Sequence, residues 1–511
     1  MNLSYLSFLY SILVGMVIFS CELDAASGKR DLMQVEQVIQ APFQLTHSLL
    51  AADLLSTQGK ELIVFGIDER LQKWLGVYAF DGVKKQYILA HKVAIPASFY
   101  GFDLSDEVKD IKGAQALYFL SNEQVFKYTP RNEEIPFKVI SDVASIIKQS
   151  RTDYLRHIDF VRDLNGDGLA DILVGDFDHA RVFMAKEDGG FKQQKLMIKA
   201  DVNMFQDSIG YTNPTLYIAD MTLDGRSDII NIGEGELEIY RQTKEGMFEE
   251  IATFFPIRQA ISGIDWWLKR DAFGESLDQS ELTYRKVETI RDINHDGLTD
   301  LVLRYTKSTG VLDRVNDYEI LLGEEKEGKL VFPKKASSVI HAEGTLTDLQ
   351  FIDIDNDGKL EVMVAGFDIG VAQIIGALLS GSIDQDVYLF KMNNQDRFTK
   401  KPNIVKQVEL NFSLSSGHSG SPVVKFADFN GDERQDILLS EGDRSLNIFL
   451  GTGEQSLLQK RSDELDVRLP KEGDMLTIFD LNEDGKDDIL IKYGRQDEAQ
   501  LLSQFRIILF H

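Results

Sequence analysis

Apolar and polar residues alternate in short blocks from about residue 31 to the C-terminus. The apolar blocks have the length of β-strands, and the polar blocks between them are rich in Asp, Asn and Gly, which favour turns. One arrangement recurs, in which an apolar run leads into an acidic turn and then a second apolar run. It is clearest in HIDFVRDLNGDGLADILVG, whose turn starts at Asp163. The pattern predicts a β-hairpin with a turn built from carboxylates.

This hairpin unit occurs six times, with acidic turns that begin at Asp163, Asp220, Asp292, Asp353, Asp428 and Asp480. Successive turns start 52 to 75 residues apart, and two further strand-like runs follow each hairpin except the last, which is followed by one. Two earlier units keep the strands. The first retains Asp53 and Glu61 without the acids between them, and the second, SFYGFDLSDEVKD, has no intact acidic turn. Four strands in each unit of roughly 50 to 60 residues are typical of a propeller blade.

We therefore predict an all-β fold, a β-propeller of four-stranded antiparallel blades, with eight blades favoured and seven possible. The last unit stops at His511 and is one strand short. The segment QVEQVIQAPFQL near the N-terminus is strand-like and belongs to no unit. We expect it to supply the missing outer strand, because this closes the ring and removes an exposed sheet edge.

The acidic turns have the residue types and spacing that calcium requires. Ca²⁺ takes six to eight hard oxygen ligands in a tolerant geometry. Positions 1, 3 and 5 supply side-chain oxygens, Gly at position 6 permits the bend, position 7 offers its carbonyl, and an acid follows at position 9. We predict up to about six structural Ca²⁺ ions. Their ligands by loop are Asp163, Asn165, Asp167, Leu169 and Asp171; Asp220, Thr222, Asp224, Arg226 and Asp228; Asp292, Asn294, Asp296, Leu298 and Asp300; Asp353, Asp355, Asp357, Lys359 and Glu361; Asp428, Asn430, Asp432, Arg434 and Asp436; and Asp480, Asn482, Asp484, Lys486 and Asp488.

A plain turn is the alternative for any single copy, because Asp, Asn and Gly dominate turns in any case. Six copies that share position 9 and the flanking strands favour the metal. The copies are unequal. The Asp353 loop is the most acidic, Thr222 weakens the Asp220 loop, and Glu433 replaces Gly in the Asp428 loop, where we expect a strained or reshaped turn.

The composition and the N-terminal segment indicate the compartment in which the protein works and exclude some classes of partner. The chain has 82 acidic against 55 basic residues, a formal net charge of -27, so phosphate-rich partners such as nucleic acid would be repelled. Residues 1–20 carry no charged side chain, which indicates a signal peptide over 1–21, a linker over 22–30 and the propeller over 31–511. Lipidation of the single cysteine, Cys21, a simple cleaved signal and an uncleaved anchor all remain open. Each places the protein outside the cytoplasm, as a secreted, periplasmic or membrane-anchored protein of the cell envelope.

The repeated pattern F-D-x-N-x-D-G-x-x-D-[IL]-x-[VI]-G resembles the FG-GAP repeat, also called VCBS, of integrin α-subunit propellers and many bacterial surface proteins. The resemblance covers about residues 45–511 and is weak in the first two units. It implies that the calcium loops join the two inner strands of each blade on one face, that the ions are structural, and that ligands bind the opposite face.

Long irregular insertions are expected on that opposite face, at 201–213, 259–283, 369–383 and 412–421. Trp266, Trp267 and Phe273 are the candidate partner-binding residues. The alternative is that they fill the central channel or pack against each other, since exposed apolar patches are costly. No catalytic residues are predicted, since the chain has no HExxH, no phosphate-binding Gly loop and no CxxC. The leading hypothesis is a non-enzymatic protein- or glycan-binding or adhesion module. The alternatives are an enzyme acting on extracellular polysaccharide and a structural lipoprotein subunit of an envelope complex.

Overall fold

A computed structural model describes residues 32–511 except 56, 107–114, 131–133, 144–152, 205–207, 272, 311–312, 368–381, 414–417 and 454–455. The signal peptide, Cys21 and most of the 369–383 insertion therefore lie outside the described residues. In the part that is described, the only helices are two 3₁₀ turns, Gly473–Met475 and Ala499–Leu501. None of these helices has the length and apolar character needed to cross a membrane.

The strands form eight mainly antiparallel units in chain order, which we number as blades 1 to 8. A parallel bridge between Asn316 and Thr345 joins blades 5 and 6 into one sheet, and a short parallel strand, Arg156–His157, extends blade 2. The N-terminal strand is β1 (Gln34–Gln40). Blade 1 contains β2 Gln44–Leu45, β3 Leu50–Ala52, β4 Glu61–Ile67, β5 Lys73–Asp81 and β6 Gln86–Ala94, and blade 2 contains β7 Gly101–Leu104, β8 Leu117–Leu120, β9 Gln124–Tyr128, β10 Phe137–Asp142 and β11 Arg156–His157. Blade 3 contains β12 Val161–Arg162, β13 Asp171–Gly175, β14 Ala180–Ala185 and β15 Phe191–Leu196, and blade 4 contains β18 Tyr217–Ala219, β19 Asp228–Ile232, β20 Glu236–Tyr240 and β21 Thr253–Pro256. A hairpin of β16 Asp201–Met204 and β17 Ile209–Thr212 stands between blades 3 and 4.

Blades 5 to 8 repeat the arrangement. Blade 5 contains β22 Leu282–Arg291, β23 Asp300–Gly310, β24 Asp313–Leu321 and β27 Ser338–Ile340, and blade 6 contains β28 Thr345–Ile352, β29 Glu361–Phe367, β30 Ser382–Phe390 and β31 Ile404–Ser413. Blade 7 contains β33 Val424–Ala427, β34 Asp436–Glu441, β35 Ser445–Phe449 and β36 Asp463–Asp466. Blade 8 contains β37 Leu476–Phe479, β38 Asp488–Lys492 and β39 Gln504–Phe510. The hairpin β25 Glu324–Lys326 and β26 Lys329–Val331 belongs to blade 5, and β32 His418–Ser419 pairs with β31.

The N-terminal strand completes the last blade, as predicted. β1 pairs antiparallel with β39 in continuous register from Gln34 opposite Phe510 to Gln40 opposite Gln504, and the sheet order is β1-β39-β38-β37. The strands group into eight successive units, six of them carrying the acidic hairpin turn, in agreement with the predicted eight-bladed arrangement.

The core lies between blades rather than inside them, because each sheet buries both of its faces against its neighbours. Eight clusters of buried apolar side chains follow one another, each joining two consecutive blades. The last cluster joins blade 8 to blade 1, where Leu490 and Phe505 pack with Leu62, Val64 and Tyr78. Blades 1 and 8 thus share a core in the same way as every other neighbouring pair.

Candidate metal loops and the opposite face

The six acidic turns occupy equivalent places in the fold. Each joins the first strand of its blade to the second, and the acid at position 9 is the first residue of that second strand. The loops span 163–171, 220–228, 292–300, 353–361, 428–436 and 480–488, and each is named below by its first residue. We call the side of the disc that carries them the loop face. The connections between blades, and the turns between second and third strands, form the other side, which we call the connection face.

Two left-handed residues bend every loop, at positions 4 and 6. Position 6 is Gly in five loops, with φ between 79° and 83°, and Glu433 takes the same conformation in the sixth, with φ of 65°. Left-handed backbone is costly for a residue with a Cβ. The Asp428 loop is therefore strained, as expected, but its turn is not reshaped, because Glu433 still donates its N–H to Asp428 at 2.7 Å, as position 6 does in the other loops.

The acids at positions 1 and 5 organise the turn through backbone hydrogen bonds. The position 1 carboxylate accepts the N–H of position 6 at 2.7 to 3.0 Å in all six loops. The position 5 carboxylate accepts the N–H of position 7 at 2.8 to 3.1 Å. These bonds hold the carboxylates of positions 1 and 5 toward the interior of the turn.

The acid at position 9 links the loop to the sheet. Its side chain is fully buried in every loop, and it accepts the N–H of position 2 at 2.7 to 3.1 Å. In five loops its second oxygen accepts a backbone N–H at the end of the third strand, at 2.7 to 2.9 Å. Burial, together with the charge of the neighbouring loop acids, raises the pKa of Asp300 and Asp488 to about 7, although two backbone hydrogen bonds to each carboxylate oppose the rise.

The Asp353 loop departs from this pattern. Oε1 of Glu361 and Oδ1 of Asp355 are buried and have no hydrogen-bond partner among the described residues. One carboxylate oxygen from each of Asp353, Asp355 and Glu361 lies within 4.8 Å of the others. In the Asp292 loop, Oδ1 of Asp292 is likewise buried without a partner. These oxygens are the ones best placed to ligate a cation.

Basic side chains contact three of the loops. Arg226 and Arg434, at position 7, each pair with the position 5 acid of their own loop. Lys391, which follows β30, places its ammonium against Oδ2 of Asp355 and 4.0 Å from Oδ2 of Asp357. The carbonyls of Arg226 and Arg434 were the predicted ligands, and their side-chain pairing was not foreseen. Nothing in the loop sequence points to Lys391.

The two earlier units keep part of the arrangement, and their predicted hairpins are present as β3–β4 and β7–β8. Glu61 is fully buried and accepts the N–H groups of Leu54 and Leu55 at 2.9 Å, so it fills the position 9 role. In blade 2, the buried Asp103 accepts the N–H groups of Phe160 and Val161 from blade 3. In the Asp220 loop, the Thr222 hydroxyl lies 3.5 Å from the Asp220 carboxylate.

Neighbouring loops contact each other around the loop face. His295 Nδ1 lies 2.9 Å from the carbonyl oxygen of Gly358, and Asn356 donates to Glu433 at 3.4 Å. Asp487 donates its N–H to the carbonyl of Asp428 at 2.7 Å. The conformation of each of these loops therefore affects the packing of the next blade.

The connection face holds the predicted partner-binding residues, but only two of them are accessible. Trp267 is about half exposed (47%) and Phe273 largely exposed (83%). Trp266 is buried (7%), with its ring edge-on to Trp267 at 5.5 Å and the Arg314 guanidinium 5.4 Å from its centre. The burial of Trp266 leaves Trp267 and Phe273 as the accessible members of the predicted set. Trp266 instead supports Trp267, as in the alternative in which these residues pack against each other.

More apolar side chains are exposed on the same face nearby. Phe177 and Tyr211 meet edge-to-face at 5.1 Å and are each about half exposed, as are Val202 and Ile209. Phe177 lies between the second and third strands of blade 3, and the others belong to the β16–β17 hairpin. The connection face of blades 3 to 5 thus carries two groups of exposed aromatic residues.

Charged residues gather on the inner strands of blade 5. Arg304 pairs with Asp265 and lies 3.2 Å from Glu288, and Lys286 lies within 3.8 Å of both acids. The Arg304 guanidinium also lies 5.4 Å from the centre of the Trp267 ring. Burial raises the pKa of Glu288, and the two basic residues oppose that rise. Because each acid is matched by a base, this cluster most simply holds the 259–283 insertion against the blade.

The fold and the loops together define the class, an all-β propeller of four-stranded blades with acidic hairpin loops on one face. The FG-GAP-like repeat matches residues 163–230 and 428–491. The chain therefore contains FG-GAP-like repeats at these two places. No curated protein matches its sequence.

Several solved structures share similarity along most of the chain. An Agrocybe aegerita lectin that recognises non-reducing terminal N-acetylglucosamine is 15% identical, with a TM-score of 0.42, and the match covers 84% of this chain and 96% of the lectin. The Vibrio cholerae biofilm matrix protein Bap1 is 11% identical, with a TM-score of 0.37 over 92% and 91%. A periplasmic gluconolactonase of Pseudomonas aeruginosa is 11% identical, with a TM-score of 0.31 over 82% and 96%. At these levels none of them bears on what this chain binds.

Proposed function

We propose that the protein is a calcium-stabilised binding module that works outside the cytoplasm. Its loop face holds the ions and its connection face meets a protein or glycan partner. The observation that carries the calcium assignment is the set of buried carboxylate oxygens in the Asp353 and Asp292 loops that have no hydrogen-bond partner in the described part of the chain. A buried carboxylate oxygen left unpaired is costly, and a hard divalent cation offsets that cost.

The residues fit such an ion. The cluster within 4.8 Å in the Asp353 loop matches the spacing of oxygens that share a cation with ligand distances of about 2.3 to 2.6 Å. Asp353, Asp355 and Glu361 would hold the ion there. In the other loops each position 9 oxygen that accepts one N–H keeps a second lone pair, so those loops also remain able to bind. Bound calcium would supply positive charge among the acids of the turn that joins the first and second strands of the blade.

Calcium should raise the melting temperature, and a chelator should lower it by several degrees, because binding to the native state adds to the free energy of unfolding. Asp355→Asn should lower the number of bound Ca²⁺ ions by one in isothermal titration calorimetry. The matched control is Asp188→Asn, which makes the same change at an exposed turn residue of the loop face outside the six loops. Equal melting temperatures in calcium and in chelator would refute the assignment.

The binding role rests on the exposed aromatic residues of the connection face. Aromatic side chains supply large contact areas and dominate many interfaces, and exposed apolar groups of this size are costly without a use. We assign no catalytic activity to the chain. The acids of the blade 5 cluster are paired with Arg304 and Lys286, which supports a structural role for them.

The test uses labelled protein in calcium on a glycan array and on separated cell-envelope proteins. Trp267→Ala and Phe273→Ala should each weaken capture by about tenfold or more at unchanged melting temperature, as expected for interface anchors. The control is Val83→Ala, since Val83 is an exposed apolar residue in a turn of the opposite, loop face. Capture that survives both aromatic substitutions, or the absence of any capture, would contradict the proposal.

A further inference from the structure

One loop contains a cation of its own. The Lys391 ammonium contacts Oδ2 of Asp355 and lies 4.0 Å from Oδ2 of Asp357, so it faces positions 3 and 5 of the Asp353 loop. Lys391 follows the last residue of β30, Phe390, which pairs with Val362 next to Glu361. The pairing of the second and third strands therefore carries this lysine to the acidic turn.

The oxygens around it are only partly satisfied. The Asp355 side chain is 5% exposed and Glu361 is fully buried. Oδ1 of Asp355 and Oε1 of Glu361 have no hydrogen-bond partner in the described part of the chain, although the ammonium lies against the other oxygen of Asp355. A single ammonium thus balances part of a site whose remaining oxygens suit a cation of higher charge.

We propose that Lys391 competes with the divalent cation for the Asp353 loop and so sets the calcium concentration at which this loop fills. The inference rests on the proposed function, since it assumes that the loop binds calcium. A bound Ca²⁺ and the ammonium would repel each other at this range, because unit charges about 4 to 5 Å apart interact strongly near a protein surface. Calcium binding therefore requires the lysine to leave.

The lysine is able to leave. About a quarter of its side chain is exposed (24%), and its stem is long and flexible, so the ammonium can turn to water while the loop backbone stays in place. Arg226 and Arg434 differ, because they pair with position 5 of their own loops rather than with position 3. The most acidic of the six loops is then not automatically the one that binds most tightly.

The test is hydrogen–deuterium exchange of the full chain at increasing calcium, read by mass spectrometry on the peptide that covers 353–361. This reports the midpoint for that loop alone. Lys391→Met should move the midpoint to a calcium concentration about tenfold lower or more, as expected when one charge next to a divalent cation is removed. Lys391→Gln, which keeps a polar head without the charge, should do the same.

Lys359→Met is the matched control. Lys359 belongs to the same loop, but its ammonium lies 3.4 Å from the Asn393 carbonyl and the Asn394 side-chain oxygen instead of a carboxylate. Its loss should shift the midpoint by less than about threefold, since an exposed charge is screened by solvent. The 480–488 peptide should keep its midpoint in all variants.

The outcomes separate the two ideas. If no loop gains protection with calcium in any variant, the calcium assignment fails and this inference fails with it. If calcium protects the loops but Lys391→Met leaves the 353–361 midpoint in place, only the competition is refuted. A shift of equal size in Lys359→Met would also refute it, because the effect would then be one of general charge.

Discussion

The strand that closes the ring offers the sharpest test of the fold. Consider two forms of the protein, one beginning at residue 31 and one beginning at residue 41, so that they differ only by β1 and its immediate lead-in. The shorter form leaves β39 as an open sheet edge. It also loses Ile39 from the cluster between blades 8 and 1, and Leu32 from the cluster between blades 7 and 8.

The size of the loss follows from the register. Seven residues of β1 are paired with β39, and an antiparallel pair makes about one hydrogen bond for each pair of residues. At about 1 kcal/mol net for each bond, the free energy of unfolding falls by about 7 kcal/mol, before the apolar contacts are counted. Domains are stable by roughly 5 to 15 kcal/mol, so the loss is a large part of the total. For a chain of this size it lowers the melting temperature by about 7 °C.

The assay is differential scanning calorimetry of both forms, with a peptide of residues 31–42 added to the shorter one. The peptide should restore most of the lost melting temperature by filling the open edge. A peptide of the same composition in scrambled order should not. An unchanged melting temperature on removal of β1 would mean that the pairing of β1 with β39 does not hold the ring.

Three further outcomes are expected. Burial lowers the pKa of His47 to about 4, and the charges of Lys492 and His157 contribute, so the folded protein favours the neutral ring. The free energy of unfolding is therefore at its full value above the unfolded pKa of about 6.5, and it falls by roughly 3 kcal/mol as the pH is lowered toward 4. His47→Phe, which keeps the ring packed near Phe65 and Phe102, should remove that part of the pH dependence in denaturant titrations, and parallel curves for the two proteins would contradict the assignment. Glu433→Gly should raise the free energy of unfolding by about 1 kcal/mol by relieving left-handed backbone, and a loss of stability would show that the Asn356 contact matters more. Glu61→Ala should cost about 3 kcal/mol, because the Leu54 and Leu55 N–H groups lose their acceptor, and the cost should be equal in calcium and in chelator.

The repeated turns made the architecture predictable. The number of blades follows from counting units that have acids at fixed positions and strands on either side. The pairing of β1 with β39 follows because the last unit lacks a strand. Both predictions depend only on local sequence pattern and on counting. The hairpins β16–β17 and β25–β26 were not predicted, since each lies outside the repeated pattern.

The details of the site depended on partners that are distant in the sequence. An acid at position 9 looks the same whether it holds a metal or a backbone N–H, and its second donor comes from the end of the third strand, as with Asp300 and Gly323. Lys391 reaches its loop through the register of β29 and β30, which the sequence does not show. Trp266 and Trp267 lie in an insertion without periodicity, so nothing in the pattern separates the buried ring from the exposed one.

The first blade shows how the two roles of the loop acids separate. Glu61 keeps the position 9 bond to the N–H of position 2, Leu54, and accepts the Leu55 N–H with the same oxygen, although its loop lacks the acids of positions 3 and 5. Position 9 is therefore needed to fasten the hairpin even where little remains that could bind calcium. In the Asp353 loop the longer Glu361 side chain keeps the bond to Ile354, and its other oxygen has no hydrogen-bond partner among the residues that the structure describes. In blade 1 the acid at position 9 thus serves only to hold the hairpin through backbone hydrogen bonds. On our proposal the same position in blade 6 both holds the hairpin and ligates calcium, and Lys391 balances its charge while calcium is not bound.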